Sequence, residues 1–167
     1  MGELADRIHA MQVRASTPDG TMTAELRHRS EVTLSFTRGW YDRCDESDLE
    51  RRLTGLASLL WVARTREYWS TVSDVTGDYA THEDKPISPR DVEFSQAREA
   101  LIARGSSADG RVSLSVEGMR RWTVHVAAGT VRALDEDEFA SAVGQAAADL
   151  IQDQFTKIAG LKHKIYG

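Results

Sequence analysis

Slid along itself by 90 residues, the chain matches without a gap: residues 4–61 lie over 94–151. Asp19-Gly20 falls on Asp109-Gly110, Thr33 on Thr123, Gly39 on Gly129, Asp45-Glu46 on Asp135-Glu136, Arg14 on Arg104 and Ser16 on Ser106. The apolar pattern repeats as well. Met22, Ala24 and Leu26 alternate as Val112, Leu114 and Val116 do, and Val32, Leu34 and Phe36 lie over Trp122, Val124 and Val126. Internal repetition constrains a fold more than any composition does, because one supersecondary unit must be built twice and the copies must bury each other's faces.

Each copy reads as helix, strand, strand, helix, with the strands identified by period-two alternation. Leu4, Ile8 and Met11 mark the first opening helix; Phe94, Ala97 and Leu101 mark the second, which Ser88 caps with Pro89 in its first turn. Pro18-Asp19-Gly20 and Ala108-Asp109-Gly110 are turns. The closing helices start at Asp45 and Asp135, each with an acid three positions on (Asp48, Glu138), the pattern of a capping box. Leu49, Leu53, Leu56 and Leu60 form the buried stripe of one, and Phe139, Val143, Ala146 and Leu150 that of the other. The polar stretch Thr76–Ile87 reads as a linker, giving repeat 1 over 1–75 and repeat 2 over 88–167. One such hairpin is too small a sheet to be stable alone. The expected fold class is therefore α+β: two repeats forming an intramolecular pseudo-dimer with antiparallel sheet.

Composition excludes several function classes. Cys44 is the sole cysteine, which rules out an internal disulfide framework and suggests a reducing compartment. No apolar run reaches the ~18 residues of a membrane span, and MGELADRIHAMQ holds no signal-peptide core, so a cytoplasmic protein is expected. The net charge of −5, from 21 basic and 26 acidic residues, gives no general affinity for polyanions. His9, His28, His82, His125 and His163 are scattered, and no zinc, phosphate-loop or nucleophile-elbow motif occurs. Cys44 is followed by acids that blunt its reactivity. The reading is non-enzymatic, with no catalytic residue, no metal and no cofactor. The acidic run Asp135–Glu138 is better explained by helix capping than by a cation site.

The second copy, from Asp109-Gly110 through the alternating Val112–Val116, the Glu117-Gly118 turn, the strand Trp122–Val126 and the acid-started helix at Asp135, resembles the YbaB/EbfC family of small nucleoid-associated proteins. The resemblance covers most of 90–160 and, through the repeat, a weaker 4–75. Family members end the second strand in an Ile-Asp-Pro-like motif, where this chain has Val126-Ala127-Ala128-Gly129 and Phe36-Thr37-Arg38-Gly39. They are also one unit long and homodimeric, so this chain looks like a covalent, diverged dimer. The first copy, in DGTMTAELRHRSEVTLSF and SDLERRLTGLASLLWVARTREY, is similar to YbaB-like accessory proteins of actinobacterial type VII (ESX) secretion systems. Tyr41–Asp45 and Tyr79–Glu83 also match the Tyr-x-x-x-acid pattern of type VII export signals, a match that acid-rich composition supplies readily.

The resemblance implies double-stranded DNA as partner, bound with low sequence specificity in the nucleoid. The candidate contacts are Arg27 and Arg29 at the first hairpin turn, Arg38 and Arg43 beyond the second strand, and Arg120, Arg121 and Arg132 in the other copy. Arginines there would grip phosphates. The alternative is a protein-binding accessory role of the type VII kind. It rests on the first closing helix, which is apolar nearly all round at Leu59, Trp61 and Val62 and is followed by Tyr68 and Trp69, a surplus that suits an interface anchor or further homo-oligomerisation. Equally, Trp61 fills the seam between the copies.

Overall fold

The computed structural model describes residues 2–77 and 86–167. Its elements, in chain order, are α1 (Gly2–His9), β1 (Gln12–Ser16), β2 (Met22–Arg27), β3 (Glu31–Phe36), a 3-10 turn at Tyr41–Arg43, α2 (Glu46–Thr76), α3 (Pro89–Ala100), β4 (Ile102–Ser106), β5 (Val112–Glu117), β6 (Arg121–Val126), the short α4 (Thr130–Ala133) and α5 (Glu136–Tyr166). The architecture is α+β, with two antiparallel three-stranded sheets ordered β1-β2-β3 and β4-β5-β6. The bounds of β1, β2, β3 and α2 recur 90 residues later as those of β4, β5, β6 and α5.

Each half has three strands, not the expected two. The opening helices are correspondingly shorter. Met11 lies outside α1, and Leu101 is the residue that ends α3. The reason lies in residue size. In β4 the inward residues are Ala103 and Gly105, both buried, while Ile102 at its start is exposed. α5 lies so close that a Cβ on Gly105 would overlap the Ala146 carbonyl and the Leu150 amide and stand 2.8 Å from Leu150 Cα. Small residues are what this strand needs, so it shows no apolar alternation.

Both closing helices begin as their sequence requires. Asp45 accepts from Asp48 N (2.8 Å) and Asp48 from Asp45 N (3.3 Å); Asp135 and Glu138 repeat the exchange at 2.8 and 3.0 Å. The acidic run at Asp135 thus works as a cap. Ser88 accepts from Asp91 N (3.1 Å). Gly20 and Gly110 supply the left-handed turns, with φ +73° and +74°. α2 runs through Thr76 and ends on Gly77 (φ +76°), so the expected linker begins within the helix. Its remainder, with His82 and the Tyr79–Glu83 match, lies almost wholly outside the described residues.

The long helices cross between halves. α2 packs on β1 and β2 of its own sheet and on β6 of the other; α5 packs on β4 and β5 and on β3. Gly144 lets α5 approach β3, where a Cβ would lie 2.7 Å from the Val32 carbonyl oxygen. Glu50 of α2 accepts from Val126 N and Glu46 from Gly129 N, both at 2.9 Å. The Tyr41 hydroxyl donates to Leu134 O across the seam (2.8 Å). The predicted stripes Leu49, Leu53, Leu56, Leu60 and Phe139, Val143, Ala146, Leu150 are all buried, in one core continuous through both halves.

A candidate arginine-bearing surface

The direction of the helices fixes where the arginines lie. Glu46 and Glu50, near the start of α2, sit beside the end of β6, and Arg52 pairs with Asp19 at the turn before β2. α2 therefore runs back along the sheets toward the two hairpin turns, and α5 does the same on its side. A helix of 31 residues is about 46 Å long, more than twice the length of a six-residue strand. Both helices overhang the sheets on the side of the turns. There α1 joins α2 through Arg7–Asp74 (3.3 Å), and α3 joins α5 through Tyr166–Asp91 (2.6 Å) and the Phe94–Tyr166 ring contact.

The hairpin turns stand at the base of these two arms. His28 and Arg29 are held at φ +48° and +74°, as are Gly118 and Met119 at +59° and +58°. Gly118 is required because a Cβ would run into the Glu99 carbonyl at the end of α3. His28 has no glycine's freedom; its ring lies 5.3 Å from that of His9. A left-handed non-glycine pair costs roughly 1 kcal/mol or more per residue, and here it turns Arg29 outward at the tip.

The seven predicted arginines therefore form two sets. Arg27, Arg29, Arg120 and Arg121 share the arm-bearing end. Arg38, Arg43 and Arg132 lie a strand's length away, roughly 20 Å, next to the acidic starts of α2 and α5. Arg27 pairs with Glu25, and Arg121 lies 3.6 Å from Glu117. Arg29, Arg38, Arg43, Arg120 and Arg132 are exposed and have no ion-pair partner among the described residues.

Arg64 is a residue that sequence reasoning missed. Its guanidinium lies 4.9 Å over the Trp61 ring and 5.2 Å over that of Tyr68. Burial holds its pKa below the usual arginine value; Tyr68 opposes this, and the like charge of Arg29 adds a smaller lowering. No carboxylate pairs with it among the described residues. A guanidinium held between aromatic rings behind an exposed arginine adds to the positive field at this turn. The signal that could have found it is spacing: Trp61 three positions before and Tyr68 four positions after lie on the same helix face.

Of the predicted protein-contact residues, Trp61 is half-buried and lines an apolar cavity of about 70 Å³ with Leu34 and Leu56 of its own half and Trp122, Val124 and Ile151 of the other. It fills the seam. Tyr68 and Trp69 are half-buried and meet edge to face at 5.0 Å. Leu59 and Val62 are the exposed members, at 43% and 45%. Tyr41 of the first Tyr-x-x-x-acid match is core, 2% exposed, which removes it as a recognition signal. Cys44 accompanies it, its thiol raised to about 11 by burial and then by Asp48. No helix among the described residues is long and apolar enough to cross a membrane. The chain matches no known family, curated protein or solved structure.

Proposed function

We propose that the chain is a single-chain pseudo-dimer of two YbaB-like repeats and that it binds double-stranded DNA without catalysing a reaction, as a low-specificity nucleoid-associated protein of the cytoplasm. The equal bounds of the two strand triplets and closing helices, and the crossing of each helix onto the other sheet, support the pseudo-dimer. The observation that carries DNA binding is the gathering of Arg27, Arg29, Arg120 and Arg121 on one end, at the base of two helical arms, with Arg64 behind Arg29. Arginines so placed contact phosphates, which gives affinity with little sequence choice. The raised thiol of Cys44 supports the non-enzymatic part of the reading.

The test is fluorescence anisotropy with a labelled duplex of about 30 bp at about 50 and 200 mM salt. Binding that weakens steeply with salt is expected, with loss in the Arg27, Arg29, Arg120, Arg121 to alanine variant. Alanine at Arg38, Arg43 and Arg132 leaves it nearly unchanged. No binding at the lower salt refutes the proposal. A second reading, a protein-binding accessory role of the type VII secretion kind, is favoured by one observation: Leu59 and Val62 lie exposed one turn apart on α2.

A further inference from the structure

The two long helices treat the edge strands beside them differently. β4 is an edge strand, and antiparallel alternation turns the backbone groups of Ile102, Arg104 and Ser106 away from β5. α5 satisfies these groups. Asp149 accepts from Ser106 N (3.0 Å), Asp153 from Arg104 N (2.8 Å), Gln145 from Ala108 N (3.0 Å), and Lys157 Nζ donates to Ile102 O (2.8 Å). The four side chains are spaced i, i+4 along one helix face, which acts as a surrogate neighbouring strand and closes an edge that would otherwise template pairing.

On α2 the same positions hold Gly55, Leu59, Ala63 and Glu67. The first three offer no acceptor, and a carboxylate cannot donate to the outward carbonyl. β1 is an edge strand of the same register, with Gln12, Arg14 and Ser16 turned outward. The N–H groups of Arg14 and Ser16 have no partner within the chain among the described residues. Pro18, opposite Gly55, has no N–H to satisfy. Ala15 carries a Cβ where Gly105 has none, so α2 cannot approach β1 as closely as α5 approaches β4. Leu59 and Val62 are exposed beside this opening. Arg14 and Arg66, the latter one turn beyond Val62, have no ion-pair partner among the described residues.

We infer that the β1 edge and the neighbouring face of α2 form a docking groove for an extended acidic segment of a partner protein, which adds as a fourth strand beside β1. Its carbonyls accept from Arg14 and Ser16, its apolar side chains rest on Leu59 and Val62, and its acids meet Arg14 and Arg66. The chemistry follows from the second half, where carboxylates take the matching N–H groups. A second copy is a poorer occupant, because edge pairing centred on Arg14 sets like charges directly opposite. The inference deepens the protein-binding reading and rests on it, independently of DNA.

The probe is a labelled, end-blocked peptide of alternating Glu and Val, compared with the same peptide bearing Lys for Glu. Two variants address the groove. Leu59→Asp with Ala63→Asp rebuilds the carboxylate stripe of α5. Ser16→Pro removes one outward donor at an edge position that tolerates proline. The acidic peptide is expected to bind at least about tenfold tighter than the basic one, to slow amide exchange at Arg14 and Ser16, and to weaken at least about tenfold in both folded variants. No binding of the acidic peptide, equal binding of the basic one, or unchanged exchange at Arg14 and Ser16 overturns the inference. Dimerisation of the peptide-free protein that the double variant abolishes also overturns it, by assigning the edge to a second copy. A protein partner that both variants still bind leaves the protein-binding reading standing and removes this edge from it.

Discussion

Gly105→Ala tests how closely α5 is seated on β4. The added methyl would fall on the Ala146 carbonyl and the Leu150 amide, with Leu150 Cα 2.8 Å away. These are helix backbone atoms, so no rotamer change relieves the overlap. α5 must lift by about 1 Å in a core packed to crystal density. It is held on both sides: by Asp149 and Asp153 on the N–H groups of β4 at 3.0 and 2.8 Å, and by the close approach of Gly144 to Val32 of the other half. Overpacking a core usually costs 1–3 kcal/mol. A clash with fixed backbone belongs at the upper end, so the expected loss is about 3 kcal/mol. For a chain of this length each kcal/mol lowers Tm by about 2–4 °C, which predicts a fall of roughly 10 °C, together with faster exchange at Arg104 and Ser106. The assay is urea and thermal denaturation followed by circular dichroism. The internal control is Gly55→Ala, at an exposed helix position with nothing within 4 Å, which should stabilise by about 0.5–1 kcal/mol. A Gly105→Ala protein within about 0.5 kcal/mol of the parent refutes the reasoning, because the helix would then have room.

Three further outcomes follow from single sites. Cys44, its thiol raised from 9.0 to about 11, should alkylate with iodoacetamide at pH 8 about 100-fold more slowly than an unperturbed thiol, because only the thiolate reacts; a rate near that of free cysteine contradicts its burial. Tyr41, pushed up to about 12 by burial and then by Cys44 and nearby acids, should be a late tyrosine to ionise in an absorbance titration, and Tyr41→Phe should cost about 1 kcal/mol through its bond to Leu134 O. The Asp153 carboxyl is held below the ordinary aspartate range by its bond from Lys157 and then by that from Arg104 N. Its stabilising effect is therefore complete above about pH 4 and lost as the pH falls through the lower folded value. Asp153→Asn should flatten the acid limb of the stability curve, and superimposable limbs would contradict the assignment.

What the sequence made legible is what leaves a mark in residue type. Capping boxes at Asp45 and Asp135, glycine turns at Gly20 and Gly110, and the leucine stripe of α2 all need particular side chains, and each appears where those side chains predict it. β4 left no such mark, because a strand pressed against a helix selects small residues at Ala103 and Gly105, and small residues also suit helices and loops. β1 alternates Val13 and Ala15 with polar residues over only five positions, too short a run to stand out behind the helical spacing of Leu4, Ile8 and Met11. The candidate site was legible only in part. Arg29, Arg120 and Arg121 were recognisable as turn residues. That Arg38, Arg43 and Arg132 belong to the opposite end follows from strand direction, and Arg64 from the stacking of Trp61 and Tyr68. The acids of α5 were invisible as a group because their partners are backbone N–H groups, which every residue but proline carries.

In the proposed pseudo-dimer, joining two units in one chain removes a constraint that a homodimer obeys. In a symmetric dimer any change at one edge appears at both, so sealing an edge seals its mate. Here Asp149 and Asp153 could arise without counterparts at Leu59 and Ala63, and Gly105 could tighten one helix while Ala15 holds the other away. The two hairpin ends, by contrast, both keep exposed arginines, Arg29 on one and Arg120 and Arg121 on the other. A ligand that spans both turns needs both copies to retain the contact, whereas a ligand that adds to one sheet edge needs only one copy to stay open. On that reading the feature common to both halves and the feature that differs between them fit different ligands. A variant that closes the β1 edge should leave duplex binding unchanged, and removal of the turn arginines should leave peptide binding unchanged. If either change abolished both activities, the two surfaces would be one, and the separation argued from the asymmetry of the halves would fail.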